Sequence, residues 1–97
     1  MFVHVACFRW QEGTGPDDVA AVATALGELP AVIPELRDYR FGPDAHLAEG
    51  NHDFAVVATF DDTNGYRAYA EHPAHLRVLT EVIRPRLAAR TAVQFET

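Results

Sequence analysis

The sequence predicts an α+β domain whose elements follow the order βαββαβ. Strand-like runs rich in Val, Phe and Ala stand at residues 2–10, 53–60 and 88–96. Helix-like runs, with apolar residues three and four apart, separate them. A shorter strand candidate at residues 36–41 follows the first helix. This order is that of the split βαβ, or ferredoxin-like, arrangement, in which both helices cover one face of the sheet.

Alternation along the predicted strands gives two apolar faces rather than one. In the first strand, one face carries Phe2, His4, Ala6, Phe8 and Trp10, and the other carries Val3, Val5, Cys7 and Arg9. Both faces of the strand at residues 53–60 are apolar in the same way. The face turned away from the helices therefore needs a cover. We expect a homodimer whose two sheets pack face to face into an α/β barrel.

Capping residues and prolines predict where the first helix begins and ends. Thr14 is a candidate hydroxyl cap, and Pro16 suits the first turn. Pro30 is expected to end this helix, with a short helical turn at residues 31–34 after it.

The second helix is predicted to be broken by Pro73. Residues 61–64 are expected to cap its start, and Pro73 separates it from a further helical run. In that run His75, Leu79 and Val82 are expected to share one face.

Composition limits the classes of binding partner and indicates the cellular compartment. The 97 residues are predicted to form one domain, residues 1–97. The formal net charge is −6 and no basic stripe is present, which argues against nucleic acid and anionic membranes as partners. A single cysteine, Cys7, and the lack of a signal-like or membrane-length segment lead us to expect a soluble cytoplasmic protein.

The run from Tyr69 to His75 collects groups that are able to transfer protons. It reads Tyr69-Ala70-Glu71-His72-Pro73-Ala74-His75, a phenol and two imidazoles around one helix break. Imidazole suits a base because its pKa lies near neutrality. A tyrosine hydroxyl in a dry pocket suits the stabilisation of a developing oxyanion.

With this run in place, the chain resembles the stress-responsive α/β-barrel domain (Dabb) family almost from end to end. The pieces that carry the resemblance are His4-Val5 with Phe8-Arg9, Leu26-Gly27-Glu28-Leu29-Pro30, Ile33-Pro34-Glu35-Leu36, Phe41-Gly42-Pro43-Asp44, the strand ending at Phe60-Asp61-Asp62, the Tyr69-to-His75 run and Val82-Ile83-Arg84-Pro85. The last strand, with Val93-Gln94-Phe95-Glu96, resembles the family more loosely.

The resemblance implies a ferredoxin-like fold and a symmetric dimer, but no single function. Some members resemble cofactor-free polyketide cyclases, in which a tyrosine and a histidine carry an aldol condensation. Tyr69 and His75 stand at the matching places, and His4 matches a histidine near the cyclase cavity. Two positions depart from the pattern: Phe54 stands where the cyclase has a further histidine, and Gln94 where members usually have an acid.

These assignments give a predicted site. His75 is expected to act as the base and Tyr69 as the oxygen-binding donor, while His4 orients one of them or the ligand. Contacts to the substrate are expected from Phe8, Trp10, Phe54 and His72. No cofactor is expected because no glycine-rich phosphate loop follows a strand, and no metal because no Cys or acid cluster completes a site with the histidines.

Three functions remain open at this point. The first is a cofactor-free cyclase- or lyase-type enzyme that acts on a small hydrophobic carbonyl compound. The second is a non-catalytic, stress-related dimer that binds a hydrophobic small molecule, with the stretch around Pro73 as a structural joint and His72 as a helix cap. The third is a cofactor-free monooxygenase or isomerase of the same fold. An enclosed pocket bordered by Tyr69, His75 and His4 would favour the first.

Overall fold

The computed structural model describes residues 1–97, which form one four-stranded antiparallel sheet with helices on one face. The strands are β1 (Phe2–Trp10), β2 (Asp38–Pro43), β3 (Phe54–Phe60) and β4 (Leu87–Glu96). Their order in the sheet is β2-β3-β1-β4, so β1 is central and β2 and β4 are the edges. The predicted ferredoxin-like α+β fold is confirmed.

Four helices connect the strands. They are α1 (Pro16–Gly27), α2 (Leu29–Val32), α3 (Thr63–Glu71) and α4 (Pro73–Val78). Helix α4 continues into a π-helical turn, Leu79–Ile83, and a 3₁₀ turn, Arg84–Arg86. None of these helices has the length and apolar character that a membrane crossing requires.

The register of β1 decides which side chains face the helices. His4 lies opposite Ala58 of β3 and Gln94 of β4, and Ala58 in turn lies opposite Tyr39 of β2. The same inner face carries the buried residues Phe2, Ala6, Phe8, Phe54, Val56 and Phe60. The helical segments contribute Val22, Leu26, Leu29, Tyr69, Val78 and Ile83 to this core, and Ile33, directly after α2, joins them.

The outer face of the sheet has no helix to cover it. Val93 lies beside Val5, which pairs on its other side with Val57. In the single chain Val93 remains 63% exposed and Phe95 46%. This apolar stripe agrees with the two-faced alternation found in the sequence.

The start of α1 differs from the predicted cap. Gly15 is the N-cap, and its N–H donates to the Asp18 carboxylate at 3.0 Å. The Thr14 hydroxyl instead donates to the Gln11 carbonyl at 2.7 Å. The prediction of Thr14 as the cap was therefore wrong: its hydroxyl closes the preceding turn.

Two further element boundaries differ from the prediction. Pro30 does not close the helical region but sits in the first turn of α2, where its missing N–H costs nothing. The helical turn expected at residues 31–34 accordingly begins earlier. Strand β2 starts two residues later than expected, at Asp38.

The break at Pro73 occurs as predicted. His72 has extended backbone angles (φ −65°, ψ 133°), because the residue before a proline is pushed away from the helical region. Helix α3 therefore ends at Glu71 and α4 begins at Pro73.

The cap of α3 gives a test of local stability. Asp62 accepts the Gly65 N–H at 3.0 Å, so Asp62→Ala should lower the free energy of unfolding by about 1 kcal/mol. The neighbouring Asp61 instead pairs with Arg37 at 3.0 Å on the exposed surface. Asp61→Ala is the matched control and should cost less, because solvent screens exposed ion pairs. Urea denaturation of both variants would measure this, and an equal or larger loss in the Asp61 variant would contradict the cap assignment.

Candidate active site

An apolar cavity of about 300 Å³ lies between the inner face of the sheet and the helices. A volume of this size suits a small organic ligand. Ala6 of β1 and Val56 of β3 lie opposite each other in the sheet and form part of the cavity floor. The polar side chains of the lining are His4, Tyr66, Tyr69, His75, Arg84 and Arg90.

The cavity brings together four of the residues that the sequence singled out. His4 and Phe8 come from β1, Tyr69 from α3 and His75 from α4. The Tyr69-to-His75 run and the first strand therefore line the same cavity.

Three of the predicted ligand contacts lie outside this lining. Trp10 lies on the inner face of β1 with Phe8, as the alternation predicts, and their ring centres are 5.6 Å apart. Its indole packs on Phe54, with ring centres 5.8 Å apart, in an aromatic cluster beyond the cavity. His72 caps α4, because its Nδ1 accepts the Ala74 N–H at 3.1 Å.

His4 is held as a neutral imidazole. Its Nδ1 lies 3.0 Å from the amide nitrogen of Gln94, which is a donor, so Nδ1 accepts and the ring proton is on Nε2. Only 5% of the residue is exposed. Burial lowers the pKa of His4 to about 4, and the neighbouring Arg90 and His75 side chains add to this effect. At neutral pH His4 is thus a fixed N–H donor.

His75 has the opposite tautomer. Its Nδ1 lies 3.2 Å from the Ala70 carbonyl, which only accepts, so the proton is on Nδ1 and Nε2 carries a free lone pair. Burial lowers the pKa of His75 below its ordinary value, although the bond to Ala70 opposes this. The ring therefore stays an uncharged base at neutral pH.

Tyr69 packs directly on His75, with ring centres 4.0 Å apart. Its hydroxyl lies 2.9 Å from that of Tyr39 on β2. Burial raises the pKa of Tyr69 to about 12, and the bond to Tyr39 opposes this rise. Burial is the main cause of the raised pKa of Tyr39, and the neighbouring Tyr69 adds to this rise. Either hydroxyl can donate in this pair, and when Tyr39 donates, the Tyr69 proton is available to another acceptor.

Sequence reasoning did not assign roles to Tyr39, Arg84 or Arg90. For Tyr39 a signal was present, since strand alternation alone places it on one face of β2 with Phe41. Its contact with Tyr69 depends on the register of β2 against β3, which alternation does not give. The two arginines carry no motif that distinguishes them from surface cations.

The π-helical turn changes the predicted face of the last helical run. Leu79 and Ile83 line the cavity with His75, whereas Val82 does not. The expected i, i+4, i+7 face was therefore wrong at its last position. A π turn holds more residues than an α turn, so the third member of the face is one residue later.

No group of three or more His, Cys, Asp or Glu side chains is placed to hold a metal ion. The chemistry available to the cavity is that of its imidazoles, phenols and guanidinium groups.

The two neutral histidines make stability depend on pH. The pKa of His4 is about 4 in the folded chain and about 6.5 in the unfolded chain, so the unfolded chain binds more protons between these values. The free energy of unfolding should therefore fall as the pH is lowered from about 6.5 to 4. His4→Gln should flatten this decline in urea titrations.

His46→Asn is the matched control for that experiment. Its imidazole is 84% exposed, and asparagine tolerates the positive φ of 59° at this position. A decline flattened equally by both substitutions would show that burial of His4 is not its cause.

Comparisons with known proteins give the relatives of this chain. Residues 2–97 match the family model described as the stress responsive A/B barrel domain, Dabb. A curated protein of Streptomyces coelicolor, described as uncharacterized, is 31% identical over 77 residues, which are 77% of this chain and 79% of that one.

Solved structures show the same fold. A dimeric ferredoxin-like protein of unknown function from Thermobifida fusca is 53% identical, with a TM-score of 0.91 over 99% of this chain and 90% of that chain. The hydroxynitrile lyase of Passiflora edulis is 15% identical, with a TM-score of 0.84 over 97% and 90% of the two chains. At this identity the likeness to the lyase is one of fold. On the family match, the chain is a member of the stress-responsive A/B barrel (Dabb) family.

Proposed function

We propose that the cavity is the active site of a cofactor-free acid–base enzyme that acts on a small hydrophobic carbonyl compound. One observation carries the proposal: the two imidazoles of the cavity have opposite tautomers. His75 presents a lone pair on Nε2, and His4 carries its proton on Nε2. A base and a donor thus share one apolar space with the Tyr69 hydroxyl.

The first step is removal of a proton from the carbon next to a carbonyl. His75 Nε2 takes this proton and becomes an imidazolium, while the C–H electron pair moves into the enolate. The Tyr69 O–H and the His4 Nε2–H donate to the enolate oxygen. A pKa of about 12 keeps Tyr69 protonated at neutral pH, as this role requires.

The second step forms the carbon–carbon bond of an aldol reaction. The enolate carbon attacks a second carbonyl, whose oxygen becomes an alkoxide. His75 returns its proton to that alkoxide and is again neutral, so protons and charge balance without a cofactor. A retro-aldol or lyase reaction is the same sequence in reverse. The fold supports a lyase in Passiflora edulis, although the reaction here is argued from the site alone.

Tyr39 is proposed as a positioning residue for Tyr69. It lies outside the cavity lining, its hydroxyl is 2.9 Å from that of Tyr69, and we assign it the donor role in this pair. Donation from Tyr39 orients the Tyr69 hydroxyl and makes its proton a better donor. Its removal should therefore weaken the chemistry without removing the base.

Proton abstraction is measurable without knowing the natural substrate. Native protein in D₂O should accelerate deuterium incorporation next to the carbonyl of phenylacetone, followed by ¹H NMR. His75→Gln should lose most of the acceleration, about 10²-fold or more, because the base is gone. Tyr69→Phe should lose less, and Tyr39→Phe less again.

His72→Asn is the control, because asparagine preserves the cap of α4 and His72 lies outside the cavity. Exchange should continue at the native rate in that variant. Circular dichroism would establish that each variant folds. Native-like exchange in a folded His75→Gln protein would rule out His75 as the base. Binding of the ketone with no exchange in native protein would instead favour the non-catalytic ligand-binding function.

We also propose that the protein is a homodimer formed through the outer face of the sheet. Support comes from the apolar stripe at Val5, Val57 and Val93, and from the dimeric state stated for the Thermobifida fusca relative. Val93→Asp should convert the dimer to monomer at micromolar concentration in sedimentation velocity, because it places charges within an apolar interface.

Val32→Asp is the matched control for the dimer. Val32 is 50% exposed on helix α2, which lies on the other side of the sheet, so its replacement should leave the dimer intact. A monomeric native protein, or a dimer unaffected by Val93→Asp, would overturn the proposed interface.

A further inference from the structure

Two guanidinium groups of the cavity lack acidic partners. Arg84 and Arg90 contribute to the lining, and no Asp or Glu does. The ion pairs of the chain involve Arg37, Arg40, Arg86 and His46, and neither cavity arginine takes part in one.

Arg86, in the same segment, differs from Arg84 and Arg90 because its guanidinium group is hydrogen-bonded within the protein. Its Nε donates to the Asp18 carboxylate at 3.1 Å, and its NH1 donates to the Val82 carbonyl at 2.9 Å. Arg84 and Arg90 form no such side-chain bonds, although the chain carries 14 acidic residues and a net charge of −6. Their donors remain free for a ligand.

The two arginines reach the cavity from different elements. Arg90 is on the inner face of β4, directly opposite Phe8 of β1. Arg84 opens the 3₁₀ turn that joins the π-helical turn to β4. Both residues are exposed while also lining the cavity, so they stand at its mouth. His4 and Tyr69 are buried and His75 is half-buried, so these three groups lie deeper.

Electrostatics agree with this placement. The positive charge of Arg90 contributes to the lowered pKa of His4, to that of His75, and in the same direction to that of Tyr69. Its field therefore extends over the three groups assigned to the chemistry. An anion at the mouth would therefore be attracted by the two arginines, and the interior of the cavity behind them is apolar.

Resting on the acid–base function proposed above, we propose that the substrate is an aromatic or aliphatic keto acid whose carboxylate is bound by Arg90 and Arg84. The apolar part would lie over Phe8, with the carbonyl near His75. Guanidinium forks match the two oxygens of a carboxylate, which makes them suited to this anion. The arginines would thus select the substrate and set its direction of entry.

Binding of a matched pair of probes tests this proposal independently of turnover. 4-Oxo-4-phenylbutanoate carries a carboxylate, and butyrophenone has the same aromatic ketone without it. Native protein should bind the acid at least about tenfold more tightly in calorimetric or NMR titrations. Added NaCl should weaken binding of the acid and leave that of the ketone unchanged.

Arg90→Gln should remove most of the preference for the acid while retaining the ketone affinity. Arg77→Gln is the control of equal charge change, since Arg77 is an exposed arginine of α4 outside this cavity. If circular dichroism shows that Arg90→Gln does not fold, the preference for the acid is measured in Arg84→Gln instead. The salt dependence of binding to native protein then tests the same proposal.

The outcomes separate the two proposals. Equal affinity for acid and ketone, or an equal loss in the Arg77 variant, would overturn carboxylate recognition. Tighter binding of phenyl phosphate than of the keto acid would overturn the carboxylate in favour of a phosphoryl ligand. Acid-selective binding without deuterium exchange would retain recognition and reject catalysis, while exchange without selectivity would do the reverse.

Discussion

The pairing of the central strand with both of its neighbours is the constraint on which the structure depends. The antiparallel register puts His4 between Ala58 and Gln94, and so fixes what stands on either side of the imidazole. Ala58 is small and leaves the ring in contact with the aromatic side chains above it, with Tyr66 at 5.1 Å between ring centres. Gln94 supplies the hydrogen bond that selects the tautomer. A shift of one residue would turn His4 to the outer face.

The same register explains why one buried space holds two histidines with different tasks. Burial keeps both imidazoles neutral, and a different partner fixes each proton: an amide for His4 and a backbone carbonyl for His75. An acid in place of Gln94 would accept from Nδ1 and favour the imidazolium. With an amide there, His4 remains a neutral donor, so the departure at Gln94 noted in the sequence changes the chemical character of the site.

Much of the fold was predictable because its signals are local. The signals are alternation, proline placement and the helix break at Pro73, all of which are properties of short stretches. They predicted the order of the elements and the proximity of β1 to the Tyr69-to-His75 run. The contacts of Tyr39 and Gln94 depend on strand register, which is set by pairing between distant segments. Val82 was misplaced because the π turn holds extra residues.

Strand β4 carries Arg90, which lines the cavity, and Gln94, which bonds to His4, yet most of its length is exposed in the single chain. It is an edge strand whose only neighbour in the sheet is β1. Fraying of this edge would withdraw both groups at once, so the tautomer of one histidine and the charge at the cavity mouth are lost in a single opening event. Amide hydrogen exchange along β4 therefore reports the fraction of molecules in which the site is fully assembled.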